Sequence, residues 1–254
     1  MTVRIVTDSA CDLTDAEAAT LDIDIVPLSI RFGDAEYIDR HELSATEFYN
    51  KMSTSEHLPQ TAAPAPGAFE EMFRKRLDAG AQSVVCINIS AGVSATMQSA
   101  EAGAKVCGGD VRVVDSGSVS VGQGTIVLAA AEAARSGASA EEITDLVADL
   151  SARTSLFGSL DTLGNLVKGG RIGGAKAMVA NVLSIKPLLD ISSGVVEEAG
   201  RQRTRKKALA WLINKVVEQG DALESVAVAH AMVDDIDAFT DRLCTDTGLT
   251  EARV

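Results

Sequence analysis

The sequence predicts an α/β fold in two domains: an N-terminal parallel-sheet α/β domain over residues 1–152 and a C-terminal α+β domain over residues 153–254. Three observations predict it. To about residue 150, apolar runs of strand length alternate with helical stretches, the pattern of a parallel sheet covered on both faces. Three of those strands end in short turns of Ser, Asp and Gly, at Asp8 and Ser9, at Ser90 to Ser94, and at Asp115 and Ser116. Beyond residue 150 the alternation is replaced by a hairpin signal and a long amphipathic helix.

Each element follows in order. Val3 to Thr7 reads as a short buried strand, closed by the polar turn at Asp8 and Ser9, and a short helical stretch leads to a second strand from Ile23 to Leu28. Ser44 and Glu47 form a capping-box pattern, with Phe48 and Met52 spaced for one helical face. His57 to Gly67, rich in Pro, Ala and Thr, reads as a loop; a helix from about Ala68 to Ala79 then stops at Gly80. Ser83 to Ile89 is a continuous apolar run, as expected for a strand buried on both faces. Val93 to Cys107 reads as helix, Val111 to Val114 as strand and Ser120 to Arg135 as helix. A second capping box, Ser139 with Glu142, opens a helix to about Arg153. In the second domain Ser155 to Leu160 reads as strand, and Asp161 to Lys168 as a short helix running into Gly169 to Gly174. Ile185 to Ile191 and Val195 to Ala199 flank the hairpin turn Ser192, Ser193 and Gly194. A helix carrying Ala208, Leu209, Leu212, Ile213, Val216 and Val217 on one face precedes a strand, Ser225 to Ala231, and a helix from Asp234 to Cys244.

Composition narrows the function. The 254 residues are 46% hydrophobic and 23% charged, enough for a full core. A net charge of −13 repels phosphate backbones, and aromatics at 4% leave little for base stacking, so no nucleic-acid partner is expected. Cys11, Cys86, Cys107 and Cys244 are dispersed, Cys86 within an apolar run, and provide no zinc cluster. The start MTVRIVTDSA lacks a secretory apolar region and no apolar run reaches ~20 residues; stable membrane insertion is not expected, and the expected compartment is the cytoplasm.

The hydroxyl turns are the first candidate site, because ligands of open α/β sheets sit beyond the carboxyl ends of the strands. Ser90, Ser94 and Thr96 fall where a strand meets a helix N-terminus, which favours an anion such as a carboxylate or phosphate. Ser94 alone fits an ordinary helix cap better. Thr61 lies in the loop PQTAAPAPG, either a clamp over the strand ends or a turn threonine. Asp8 and Asp115 each precede a serine, Ser9 and Ser116, and either order the site or form Asx-turns. The run KGGRIGG matches neither a P-loop nor a dinucleotide fingerprint; it is a flexible loop, or it presents Arg171 to an outside anion. Arg201 to Lys207, the one basic cluster of an acidic chain, is a solvated face or a docking patch. His41 and His57 fall in polar segments and His230 in an apolar strand, and no GxSxG elbow occurs, so triad hydrolysis has little support.

Several blocks in the same order resemble the DegV family of fatty-acid-binding proteins, from residue 3 to about residue 231. They are VTDSACDLT (6–14), the loop with Thr61 and Pro64, ISAGVSATMQSA (89–100), VVDSGSVSVGQG (113–124), LGNLVKGGRIGGAKA (163–177), KPLLDISSG (186–194) and GRQRTRKKA (200–208). The resemblance implies a non-catalytic lipid carrier. It needs no cofactor and binds a long-chain fatty acid such as palmitate or oleate in an apolar tunnel between the two domains. A separate ATP-dependent fatty-acid kinase subunit would phosphorylate the carboxylate there. Thr61 and Ser94 would hydrogen-bond that carboxylate, assisted by amides near Ala95 and Thr96, with Ser9 and Ser90 in the same strand-end site. Arg171 and Arg203 would face the kinase.

Three departures from the family pattern stand out. The TSQP-type loop is Thr61-Ala62-Ala63-Pro64 here, and the LSGT-type turn is Val93-Ser94-Ala95-Thr96. Ala95 thus replaces a glycine, which narrows the backbone if that position requires positive φ. The Gly-rich C-terminal segment, whose histidine reaches the carboxylate in the family, does not follow before Val254, so a truncated or differently completed head-group site is expected. Two further functions compete: a small-molecule phosphotransferase using the hydroxyl turns for phosphate, and a lipid-sensing interaction protein without a kinase.

Overall fold

A computed structural model describes residues 2–176 and 185–254; Ala177, the last residue of the Gly-rich block, lies outside them. The chain divides into two compact units, residues 1–154 and 155–254.

The first unit contains β1 (Val3–Asp8), α1 (Asp15–Thr20), β2 (Asp24–Val26), β3 (Ser29–Phe32), β4 (Ala35–Ile38), α2 (Ala45–Thr54), β5 (Gln60–Ala62), α3 (Pro66–Asp78), β6 (Ser83–Asn88), α4 (Thr96–Cys107), β7 (Val111–Asp115), α5 (Ser120–Arg135) and α6 (Ala140–Arg153). β2, β1, β6 and β7 form, in that order, an all-parallel sheet. β6 is buried along its whole length, and its alternation shows why the run is continuously apolar. Val85 and Ile87 join Ile5 and the α5 and α6 residues Ile126, Val127, Ile143 and Val147 on one face. Val84 and Cys86 join Val6 and the α3 and α4 residues Phe69, Phe73 and Ala100 on the other. Both capping boxes close: the hydroxyls of Ser44 and Ser139 accept from the amides of Glu47 and Glu142, whose carboxylates accept from the cap amides. Thr14 and Glu17 form a third, unpredicted box at α1.

Three segments depart from expectation. The loop from His57 to Gly67 contains β5, which pairs antiparallel with β3, as β4 does, in a small second sheet. An edge strand needs only one side's backbone partners, so its composition carried no apolar signal. α3 begins earlier, at Pro66, where a ring with no N–H costs the helix nothing. α4 begins later, at Thr96, because the Ser90 carbonyl accepts from the amides of Val93 and Ser94 and closes a turn first.

The second unit contains β8 (Phe157–Ser159), α7 (Gly164–Lys168), β9 (Lys186–Asp190), β10 (Glu197–Gln202), α8 (Arg205–Val217) and α9 (Ile236–Thr247). β10, β9 and β8 form an antiparallel sheet, with the predicted hairpin between β9 and β10. The expected strand from Ser225 to Ala231 is not one: among the described residues it makes a single isolated bridge, Ala227 to Arg253. Alternation without a neighbouring strand supplies no ladder. The Gly-rich run packs against the Val196 backbone at Gly173 and Gly174. A Cβ on Gly173 would lie 2.3 Å from the Val196 carbonyl oxygen, which accepts from the Gly174 amide at 2.8 Å. Among the described residues no helix is long and apolar enough to cross a membrane.

Candidate functional site

The carboxyl ends of β1, β6 and β7 are adjacent, and their turns interlock. Asp8 binds them. Its Oδ1 accepts from the Ala10 amide at 3.1 Å, an Asx-turn, while its Oδ2 accepts from Asn88 Nδ2 at 3.1 Å and the Ile89 amide at 2.8 Å. Asp115 repeats the pattern, accepting from Gly117 at 2.8 Å and from Ala91 at 3.2 Å. Each aspartate therefore forms its Asx-turn and also ties its strand to β6's turn. Burial raises the Asp8 pKa against the lowering effect of these bonds. Burial also pushes the Cys11 thiol up to about 12, so it stays protonated and inert.

Ser9, buried in the single 3-10 turn after β1, accepts from the Leu28 amide at 3.0 Å and braces β1 against the chain leaving β2. The buried Ser90 accepts from the Gly92 amide at 3.1 Å, and its own amide donates to the Ser118 carbonyl at 2.8 Å. Ser94 then presents its hydroxyl beside Thr96 Oγ1 at 2.9 Å and accepts from the Thr96 amide at 3.2 Å. Either hydroxyl can donate in that contact; with Thr96 as its donor, the Ser94 proton is left for an outside acceptor. The helix cap is Ala95, with no side-chain capping bond, so Ser94 is not the cap and the first-turn amides of α4 keep their positive field. Ala95 has φ −87°, ordinary backbone, so alanine is accommodated there without strain.

The structure thus gathers Ser9, Ser90, Ser94, Ala95 and Thr96 on neighbouring turns. Thr61 is exposed on β5, with its backbone paired to Ile30; among the described residues no hydrogen bond joins it to the Ser94 turn. Arg171 and Arg203 are exposed in the second unit. Arg171 Nη1 donates to the Gly169 carbonyl at 2.7 Å. Of the basic cluster, Arg201 pairs with Glu198 at 2.9 Å and Arg205 with Asp235 at 2.6 Å. His41 and His57 are exposed as expected, but His230 is exposed too, because its segment is not a buried strand. Among the described residues no group of three His, Cys, Asp or Glu side chains could hold a metal. A groove of about 290 Å³ between α8 and α9, floored by Leu209, Ile213 and Phe239, contains none of the head-group candidates.

Residue-by-residue reading passed over Asn88, Ser118 and Gln123. Gln123 was visible as a polar residue on an otherwise apolar helix face; it is fully buried and donates to Thr7 Oγ1 at 3.0 Å. Asn88 and Ser118 carried no periodic signal.

The model of the DegV family, described as "Uncharacterised protein, DegV family", matches residues 2–248. A DegV domain-containing protein of Deinococcus radiodurans is 38% identical over 216 residues, 85% of this chain and 76% of its own. A Thermus thermophilus DegV family protein described by its fatty-acid binding superposes with a TM-score of 0.89 at 33% identity, covering 100% of this chain and 92% of that one. DegV of Bacillus subtilis, described as a fatty acid binding protein, superposes at 0.87 and 27% identity, covering 99% and 91%.

Proposed function

The chain belongs to the DegV family, and from that premise we propose that it binds a long-chain fatty acid by its carboxylate at the Ser94 turn and presents it to a separate ATP-dependent kinase. One observation carries the reading: at the end of a buried parallel sheet, Ser94 presents its hydroxyl where α4 begins without a side-chain cap. A carboxylate there accepts from the Ser94 hydroxyl and lies in the positive field of the helix. Thr61 serves as the second hydroxyl, and Ser9 and Ser90 hold the turns in shape. Fatty-acid binding by the Thermus and Bacillus relatives supports the ligand class. Burying a ~16-carbon chain at ~0.8 kcal/mol per CH₂ supplies the gross drive, so the head-group bonds need only orient the acid and offset its desolvation.

The chain is read as a carrier, with Arg171 and Arg203 as the kinase-facing cations. Mass spectrometry of lipid extracted from the purified native protein is the direct test, and a long-chain fatty acid is the expected finding. Recovery of none, together with no binding of palmitate or oleate, overturns the reading. ATP turnover by the isolated chain would instead favour a phosphotransferase. Pull-down of a kinase by wild type but not by Arg171→Ala or Arg203→Ala separates the kinase-serving carrier from a lipid sensor.

A further inference from the structure

Among the described residues, five that are not glycine adopt positive φ: Asp12, Asp22, Arg40, Ser120 and Met232. Two of the five meet. Asp12, at φ 49°, ends the 3-10 turn after β1, and Ser120, at φ 55°, is the first residue of α5. They lie 108 residues apart in sequence, yet Ser120 Oγ donates to Asp12 Oδ2 at 2.5 Å. Left-handed backbone is tolerated by aspartate, destabilises a serine and is adopted freely by glycine. Such strain persists where the surroundings over-determine it, and it collects at functional sites. Both residues sit between buried neighbours: Cys11 and Leu13 flank Asp12, and Ser118 and Val121 bracket Ser120. Cys11 and Leu13 also share one apolar cluster with Ile126 and Val127 of α5. The start of α5 is closed by its own turn, the Gly122 amide donating to the Val119 carbonyl at 3.1 Å. The Ser120 hydroxyl thus goes to the turn after β1 rather than to its own helix. The link continues to the Ser94 turn. Two residues before Ser120, the Ser118 carbonyl accepts from the Ser90 amide at 2.8 Å, and the Ser90 carbonyl accepts from the Ser94 amide at 3.2 Å.

Resting on the fatty-acid reading above, we propose that Ser120, held by Asp12, is a positioning residue for the head-group site. Its left-handed backbone and its bond to Asp12 fix the crossing from β7 to α5 against the turn after β1. The crossing in turn holds the Ser90 amide, and with it the turn that presents the Ser94 hydroxyl. Neither side chain of the pair touches the acid. Glycine at either position relieves the backbone and breaks the bond, which leaves the Ser94 hydroxyl less well placed.

Binding of palmitate and of hexadecanol, the neutral alcohol of the same length, to the full chain and to Ser120→Gly, Asp12→Gly and Asp12→Asn tests the assignment. Thermal midpoint and circular dichroism are read on each lipid-free protein. The expected result for both glycine variants is a loss of about threefold or more in palmitate affinity relative to hexadecanol. That falls short of the roughly tenfold that losing the Ser94 hydrogen bond itself would cause. The lipid-free midpoint of Ser120→Gly should hold, because relief of the strained backbone offsets the looser unfolded chain. Asp12→Asn keeps an acceptor oxygen and tolerates left-handed backbone, so it should retain the wild-type ratio. An unchanged ratio in either glycine variant overturns the proposal and leaves the pair a contact of the fold. So does a fall in Asp12→Asn as large as in Asp12→Gly, or a fall matched by lost helix content. Failure of the wild-type chain to bind palmitate at all is a different result and removes the fatty-acid reading itself.

Discussion

In the proposed site the head group depends on the Ser94 proton, available when Thr96 donates to the same oxygen. Ser94→Ala should lower palmitate affinity about tenfold. Because Ala95 occupies the cap, helix content and thermal midpoint should hold; calorimetry and circular dichroism on the same sample check both, and a lost helix would return Ser94 to a capping role. Asp8 predicts a pH effect of definite sign. Burial holds its proton more tightly in the folded chain than in the unfolded one. Its contribution to stability is therefore complete below the ordinary carboxylate range and is lost as pH rises through the raised value. Asp8→Asn, which cannot ionise, should remove that slope, read as thermal midpoints between about pH 4 and about pH 8; an identical slope in both proteins assigns it elsewhere. Ser94 and Asp8 were legible as polar groups at strand ends, with a helix cap and an Asx-turn as their competing uses. The burial of Ser118 was not, since it exists only once neighbouring turns are folded together.

Among the elements, β6 and its helices were legible because burial on two faces and the 3.6-residue period both write themselves into the chain. β5 was not, because an edge strand three residues long needs no apolar residue to pair. The close approach of α3 and α4 was equally invisible. A Cβ on Gly103 would lie 2.6 Å from the Pro66 carbonyl oxygen and 2.9 Å from the Glu70 nitrogen, both backbone atoms that cannot swing aside. An isolated glycine inside a helix is ordinarily a loss relative to alanine, so Gly103→Ala ought to stabilise on propensity alone. Packing reverses the sign. The expected outcome is destabilisation by about 1–3 kcal/mol from forcing the helices apart, measured by urea unfolding, and a stabilised variant would show that α3 yields without cost.

For the whole molecule, charge is distributed against its own average. The chain carries a net −13, yet Arg205, Lys206 and Lys207 fill the first turn of α8, where the helix dipole disfavours cations and the turn itself holds no acidic residue. Arg205 is paired with Asp235, whereas Arg203, Lys206 and Lys207 are exposed and form no ion pair among the described residues. A merely solvated face gains nothing from placing cations at that end of a helix, whereas a docking surface for an acidic partner gains orientation and association rate. The two readings part on opposite signs. Lys206→Glu with Lys207→Glu should raise the stability of the chain by a few tenths of a kcal/mol or more per site through the dipole. The same change should leave palmitate affinity untouched and slow acyl-phosphate formation by an added fatty-acid kinase. The slowing should diminish as salt screens the attraction over a shorter distance. Thermal midpoint, palmitate binding and kinase rate across a salt series measure the three effects separately; a stabilised variant that serves the kinase as fast as wild type would make the cluster a solvated face.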